Sequence, residues 1–234
     1  MRYALLTGIG RPGQVGEAVA NRLAADGYTL LLVDRNGAEA EARAADIRAR
    51  SGAAHGFGAD LASEAAVANL FAEIRRSHGD GLAAYVHLAG GFAVTGPIAE
   101  TSVEDWEKQL TINLRTAFLV ARGAAVMLRQ ERGAAVFFSS ESAIPGAKVA
   151  RIAAYAVAKT GVLELAMALA QEEATNGVRV NVVAPASIRT ARNVAEMGAA
   201  ARYVELEDVA AAVAWLCSAQ AQAVTGQVIR LAPR

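Results

Sequence analysis

Four glycines, Gly8, Gly10, Gly13 and Gly16, fall between a short apolar run at 3–6 and an alanine-rich, helix-favouring segment at 17–25. A strand that turns through glycines directly into a helix admits few topologies. Backbone free of side chains can approach a ligand closely, and the helix N-terminus adds partial positive charge, so this turn suits a pyrophosphate. The next apolar run, 28–33, is uninterrupted, as a strand buried on both faces of a parallel sheet should be, and Asp34-Arg35-Asn36 closes it.

The alternation continues along the chain. Further strands are predicted at 53–59, 82–88, 134–139, 178–183 and 227–231. Helices are predicted at 38–50, at 63–77 with Ser63 as N-cap, at 150–175, 192–200 and 207–219. Overlapping capping boxes, Thr101 with Glu104 and Ser102 with Asp105, open a long helix through Asn113 to about residue 130. Strands and helices in this rhythm give an α/β fold: one doubly wound parallel sheet of seven strands with helices on both faces, in a single domain over 1–234. Ligands of such folds sit at the carboxyl ends of the strands, where strand order reverses.

Composition removes several classes of function. Hydrophobic residues make up 54% and charged residues 20%, which argues against disorder. Basic and acidic residues balance at 23 each, so no global field draws the chain to nucleic acid or anionic lipid. Cys217 is the only cysteine, and His55, His78 and His87 are not spaced as ligand pairs, so no metal site is expected. No charged-then-apolar leader is seen, and no apolar run is read as reaching the roughly 20 residues of a membrane span; a cytoplasmic protein is expected.

Chemistry concentrates in Tyr155-Ala156-Val157-Ala158-Lys159. Tyr and Lys four apart project from one helix face, one turn above the other. An ammonium beside a phenol favours the phenolate and is expected to lower the Tyr155 pKa from about 10, allowing proton exchange with a carbonyl or alcohol oxygen. Asp34, at the end of the second strand, suits a ribose 2′-hydroxyl and repels a 2′-phosphate. That favours NAD(H), while Arg11 and Arg35 nearby leave NADP(H) open. Asp60 follows the third strand and either meets an adenine or caps a helix.

Together, Thr7-Gly8, Asp60-Leu61, Ala89-Gly90, Asn113-Leu114, Ser139-Ser140, Tyr155-x-x-x-Lys159, Asn181 before Pro185, and Thr190 make the chain resemble the short-chain dehydrogenase/reductases over nearly its whole length. The resemblance implies a Rossmann fold. It implies that Tyr155 is the general acid or base, that Ser140 holds the substrate oxygen, and that Lys159 binds the nicotinamide ribose. Asn113 would sustain a proton-relaying water chain. Gly8, Gly10, Arg11, Gly13, Val15, Gly16, Asp34, Arg35, Asp60, Leu61, Ala89, Gly90, Gly91, Tyr155, Lys159, Pro185, Ile188 and Thr190 would line the cofactor.

Three departures from the family pattern stand out. Two extra residues lengthen the glycine loop, a spacing similar to the enoyl-reductase branch, although the Tyr-Lys spacing is not that branch's. His87-Leu88 replaces an Asn expected before Ala89, so a strand-fixing hydrogen bond is either lost or taken over by the imidazole. Ala186 stands where Gly follows the proline. The strand end at 136–140 selects Ser140 as the catalytic serine; counting back 13 residues from Tyr155 selects Ser142 instead. Lys148, Arg151, Arg189 and Arg192 lie near the expected mouth, either receiving an acidic substrate or simply solvated.

The resemblance implies hydride transfer between a nicotinamide and a ketone or secondary alcohol of a small-molecule substrate, in a homodimer or homotetramer. The alternatives are an enoyl reductase-like enzyme or a catalytically silent, NAD-binding regulatory or scaffold subunit. A short, alanine-rich substrate lid is expected at about 186–203.

Overall fold

The structure, a computed structural model, describes residues 1–9 and 11–233. The continuous apolar runs become parallel strands because each pleat buries a residue on both faces. β1 (Tyr3–Thr7) and β2 (Thr29–Asp34) pair in register, Tyr3 opposite Thr29 and Thr7 opposite Val33. Along β1 the side chain of Leu5 enters one core while Ala4 and Leu6 enter the other. β3 (Ala53–Gly58), β4 (Ala84–His87), β5 (Ala134–Phe138), β6 (Arg179–Pro185) and β7 (Val228–Leu231) complete a seven-stranded sheet in the order β3-β2-β1-β4-β5-β6-β7. The chain winds outward from β1 to β3, then crosses back to β4 and winds the other way. The carboxyl ends of β1 and β4 therefore flank the switch point.

Helices cover both faces. α1 (Val15–Ala25), α2 (Gly37–Ala49) and α8 (Leu206–Cys217) enclose one core with Val19, Leu23, Ile47 and Val213. α3 (Glu64–His78), α4 (Val103–Leu110), α5 (Thr116–Glu131) and α6 (Ala153–Glu173) lie on the other, where Leu70, Val120, Leu128 and Val162 fill the core. The short α7 (Ala191–Met197) follows β6. Ser63 caps α3 as expected, its hydroxyl accepting from the Ala66 N–H at 3.3 Å.

Four expectations need correction. Only Ser102 caps α4, accepting from the Asp105 N–H at 3.0 Å; the Thr101 hydroxyl instead donates to the carbonyls of Thr95 and Pro97. The helix carrying Tyr155 starts at Ala153 rather than 150, because Arg151 adopts a left-handed conformation (φ +66°) that turns its carbonyl toward the N–H groups of Thr95 and Gly96. α7 ends at Met197, where Gly198 (φ +85°) breaks it. Finally, the helical stretches Val103–Glu131 and Ala153–Asn176 each contain an 18-residue window apolar enough by length and composition to cross a membrane. Their apolar character has a local cause: both pack against the sheet, and α4 and α5 run on through a single turn of wider helix.

Arg129 on α5 grips Glu173 at the end of α6 with two bonds, 2.8 and 2.6 Å, and Asn176 adds a third at 2.8 Å. The Arg129 bonds, the largest influence, hold the buried Glu173 carboxyl below its ordinary value of 4.5. A depressed folded-state value means stability that is complete above the unfolded value and lost as pH falls through the folded one. Glu173→Gln should therefore cost about 1–2 kcal/mol in urea denaturation at pH 7, and the loss should shrink as the acid limb is descended.

Candidate active site

The glycine turn sits against the end of β4. Gly8 has φ +77°, and a Cβ there would lie 2.6 Å from the Ala89 Cα, so only glycine fits on both counts. Its N–H donates to the Val33 carbonyl at 2.8 Å. Gln14, at the N-cap of α1, makes no side-chain cap, which leaves the first helical N–H groups available beside Val15 and Gly16. Gly13 departs from expectation: its N–H donates to Glu17 at 2.6 Å, so its positive φ serves the turn, and the residue does not line the cleft. Gly10 lies outside the described residues.

From this turn one continuous cleft of about 1900 Å³ runs over the carboxyl ends of the strands to α7. At one end stand Arg11, Asp34, Arg35, Asp60 and Leu61; in the middle Ala89, Gly90 and Gly91; at the other end Ser140, Tyr155, Lys159, Pro185, Ile188 and Thr190. Asp34 accepts from the Asn36 N–H at 3.2 Å and Asp60 from the Ala62 N–H at 3.0 Å, so both carboxylates also order their own turns.

The Ser140, Tyr155 and Lys159 side chains converge. Ser140 Oγ accepts from the Ser142 N–H (3.2 Å) and hydroxyl (3.0 Å), which leaves its own proton to donate to the Tyr155 oxygen. Both serines line the cleft, Ser142 donating to Ser140. Lys159 is buried; its ammonium donates to the Phe138 carbonyl at 2.9 Å and lies 5.9 Å from the centroid of the Tyr155 ring.

The expected depression of the Tyr155 pKa is reversed. Burial pushes the phenol above its ordinary value, opposed only by the hydrogen bond from Ser140, while burial pulls Lys159 down to about 8. Desolvation outweighs the lysine because the amine is turned toward the β5 backbone. The phenol is therefore protonated at neutral pH.

Asn113 lies in the wide helical turn Thr111–Arg115 between α4 and α5, a π-helical feature the sequence does not signal. Its amide accepts from the Gly91 N–H and donates to the carbonyls of Gly91 and Gln109, all at 3.0 Å. A Cβ on Gly90 would come within 2.5 Å of the Asn113 oxygen, so the Gly90-Gly91 pair permits this clamp.

At His87 the imidazole does take over the strand-fixing bond. Its Nδ1 lies 2.8 Å from the Tyr85 hydroxyl and 3.1 Å from the Thr7 hydroxyl, and its Nε2 lies 3.5 Å from the Thr116 hydroxyl. Burial, assisted by the Lys159 charge, pulls the ring down to about 3 and keeps it neutral.

Of the four cations near the mouth, Lys148 and Arg192 line the cleft and Arg151 and Arg189 do not. Arg189 pairs with Glu205 at 2.9 Å and lies over the Tyr203 ring. Sequence reasoning missed Phe92, whose ring stands perpendicular to that of Tyr155 at 5.1 Å. A large aromatic directly after Gly90-Gly91 was the available signal.

A glycine turn packed on Ala89 where Gly8 admits no Cβ, an uncapped helix N-terminus, and a cleft ample for a dinucleotide and ending at Ser140, Tyr155 and Lys159 fit a nicotinamide dinucleotide. Fold and site together define an NAD(P)-dependent oxidoreductase of carbonyl and alcohol groups.

The family model described as Enoyl-(Acyl carrier protein) reductase matches residues 8–231. The chain is 36% identical over 220 residues to the inactive 2-(S)-hydroxypropyl-CoM dehydrogenase 2 of Xanthobacter autotrophicus, covering 86% of this chain and 92% of that one. It is 32% identical to the 3-oxoacyl-(acyl-carrier-protein) reductase of Aquifex aeolicus, covering 98% and 95%. The structure of a short-chain dehydrogenase/reductase from Mycobacterium ulcerans superposes with a TM-score of 0.89 at 30% identity, over 100% of this chain and 92% of that one. The chain belongs to the short-chain dehydrogenase/reductase family.

Replacing His87 by Leu removes the imidazole that the buried Tyr85 and Thr7 hydroxyls bond to. His87→Leu should lower unfolding free energy by about 2 kcal/mol, measured by urea titration.

Proposed function

We propose that the chain reduces a ketone to a secondary alcohol, and the reverse, with NAD(H). The observation that carries this reading is the convergence of Ser140, Tyr155 and Lys159 in the same cleft as Gly8 and Asp34. Bound nicotinamide supplies or accepts the hydride. Ser140 holds the substrate oxygen, and the protonated Tyr155 gives that oxygen its proton in reduction. With the one Ser140 proton turned to the substrate oxygen, the charge left on the phenol is stabilised by the Lys159 ammonium on the same helix face. Lys159 also holds the nicotinamide ribose, and Asn113 keeps the Gly90-Gly91 backbone in place beside it. Asp34 favours NAD(H) over NADP(H), and the segment 186–203 covers the substrate.

Tyr155→Phe should lower kcat for NADH-dependent ketone reduction by about 10²–10³-fold while leaving coenzyme binding intact. In the unaltered protein, reduction should weaken as pH rises through about 8, where Lys159 loses its charge. Coenzyme binding without turnover of any carbonyl, and no effect of the substitution, would support a silent binding subunit; the relative named inactive is what favours that second reading. An enoyl-reductase activity rests on loop length and the description of the family model, and turnover of an enoyl thioester in preference to ketones would establish it.

The same reading carries a cytoplasmic homo-oligomer. Phe118 and Val126 on α5 and Val157 on α6 are each about half exposed, which supports pairing through these helices. Light scattering should give at least twice the 24.2 kDa of the chain, and a monomer's mass would overturn this.

A further inference from the structure

We propose that Phe92 is a specificity-determining residue, and that it fits the site to ketones and secondary alcohols carrying a bulky apolar group beside the reacting carbon. The inference rests on the oxidoreductase reading and adds the substrate class.

Phe92 lines the cleft and is 47% exposed, yet its ring is fixed against Tyr155, 5.1 Å between centroids at 84°. Its loop is tied to the start of the Tyr155 helix. The N–H groups of Thr95 and Gly96 both donate to the Arg151 carbonyl, at 2.9 and 3.1 Å, and the Thr101 hydroxyl closes on the Thr95 carbonyl at 3.1 Å. Arg151 adopts a left-handed conformation, φ +66°, to present that carbonyl. Wall and acid are therefore held in register by backbone rather than by a mobile loop tip.

The substrate end of the cleft has further apolar lining: Ile144 and Pro145 come from the loop after β5, Ile152 lies one turn before Tyr155, and Met197 comes from α7. Charges at the mouth are largely neutralised in place: Arg192 pairs with Glu196 at 2.7 Å and Arg230 with Glu141 at 3.3 Å, while Lys108 and Lys148 are exposed at the rim. A polyol chain against Phe92 would leave hydroxyls unpaired, whereas an apolar ring or branched chain would displace water from apolar surface.

The test uses the full chain with NADH and NADPH, an alicyclic and aryl ketone series, small hydroxylated ketones, and acetone. The apolar series should have the higher kcat/KM. Phe92→Ala should cut kcat/KM for the bulky ketones about tenfold more than for acetone, mainly through KM, with Phe92→Leu recovering most of the difference. A preference for hydroxylated ketones, or an equal loss on every substrate, would overturn the proposal. Thermal shift by a saturating alicyclic alcohol with NAD separates it from the parent reading. A Phe92-dependent shift without turnover upholds the apolar subsite and overturns hydride transfer. No turnover and no shift overturns both.

Discussion

A lysine buried within the sheet sandwich fixes the chemistry of this site. Its amine has left water and must find a carbonyl, and the Phe138 oxygen at the end of β5 provides one at 2.9 Å. In return, the Ser139 hydroxyl donates to the Lys159 carbonyl at 2.8 Å, so the end of β5 and the middle of α6 are fastened in both directions. That docking places Tyr155, one turn earlier, beside Ser140, the residue following Ser139. Strand end and helix face thus bring a phenol, a hydroxyl and an amine into one cleft.

The same fastening explains why the lysine does not make the phenol acidic. Both side chains pay desolvation, and it favours the neutral form of each. A protonated phenol is what the proposed reduction of a ketone requires. On the proposed reading, charge develops on the phenol only during proton transfer, with the Lys159 ammonium one helical turn away.

Much of this was legible in the sequence because its causes are local. Uninterrupted apolar runs such as 28–33 give parallel strands, Ser63 precedes a helix, and Gly8 and Gly90 stand where a Cβ would strike backbone or Asn113. What escaped depends on distant partners. The wide turn at Asn113 comes from clamping Gly91, 22 positions away, and the late start of α6 comes from Arg151 serving Thr95 and Gly96. The acidity of Tyr155 was misjudged because spacing gives neighbours but not depth of burial. Gly13 looked like its sister glycines, yet Glu17 claims its N–H. His87 shows the limit most clearly: the imidazole's role follows from Thr7, Tyr85 and Thr116, which only the fold assembles.

The protonation state of Tyr155 is the most direct test of this account. In protein labelled with 13C at the tyrosine Cζ, one of five resonances is assigned to Tyr155 by its loss in the Tyr155→Phe variant and followed across pH without coenzyme. It should remain that of a phenol through neutrality and titrate above the ordinary value of 10.0. A phenolate resonance near neutral pH would contradict the account.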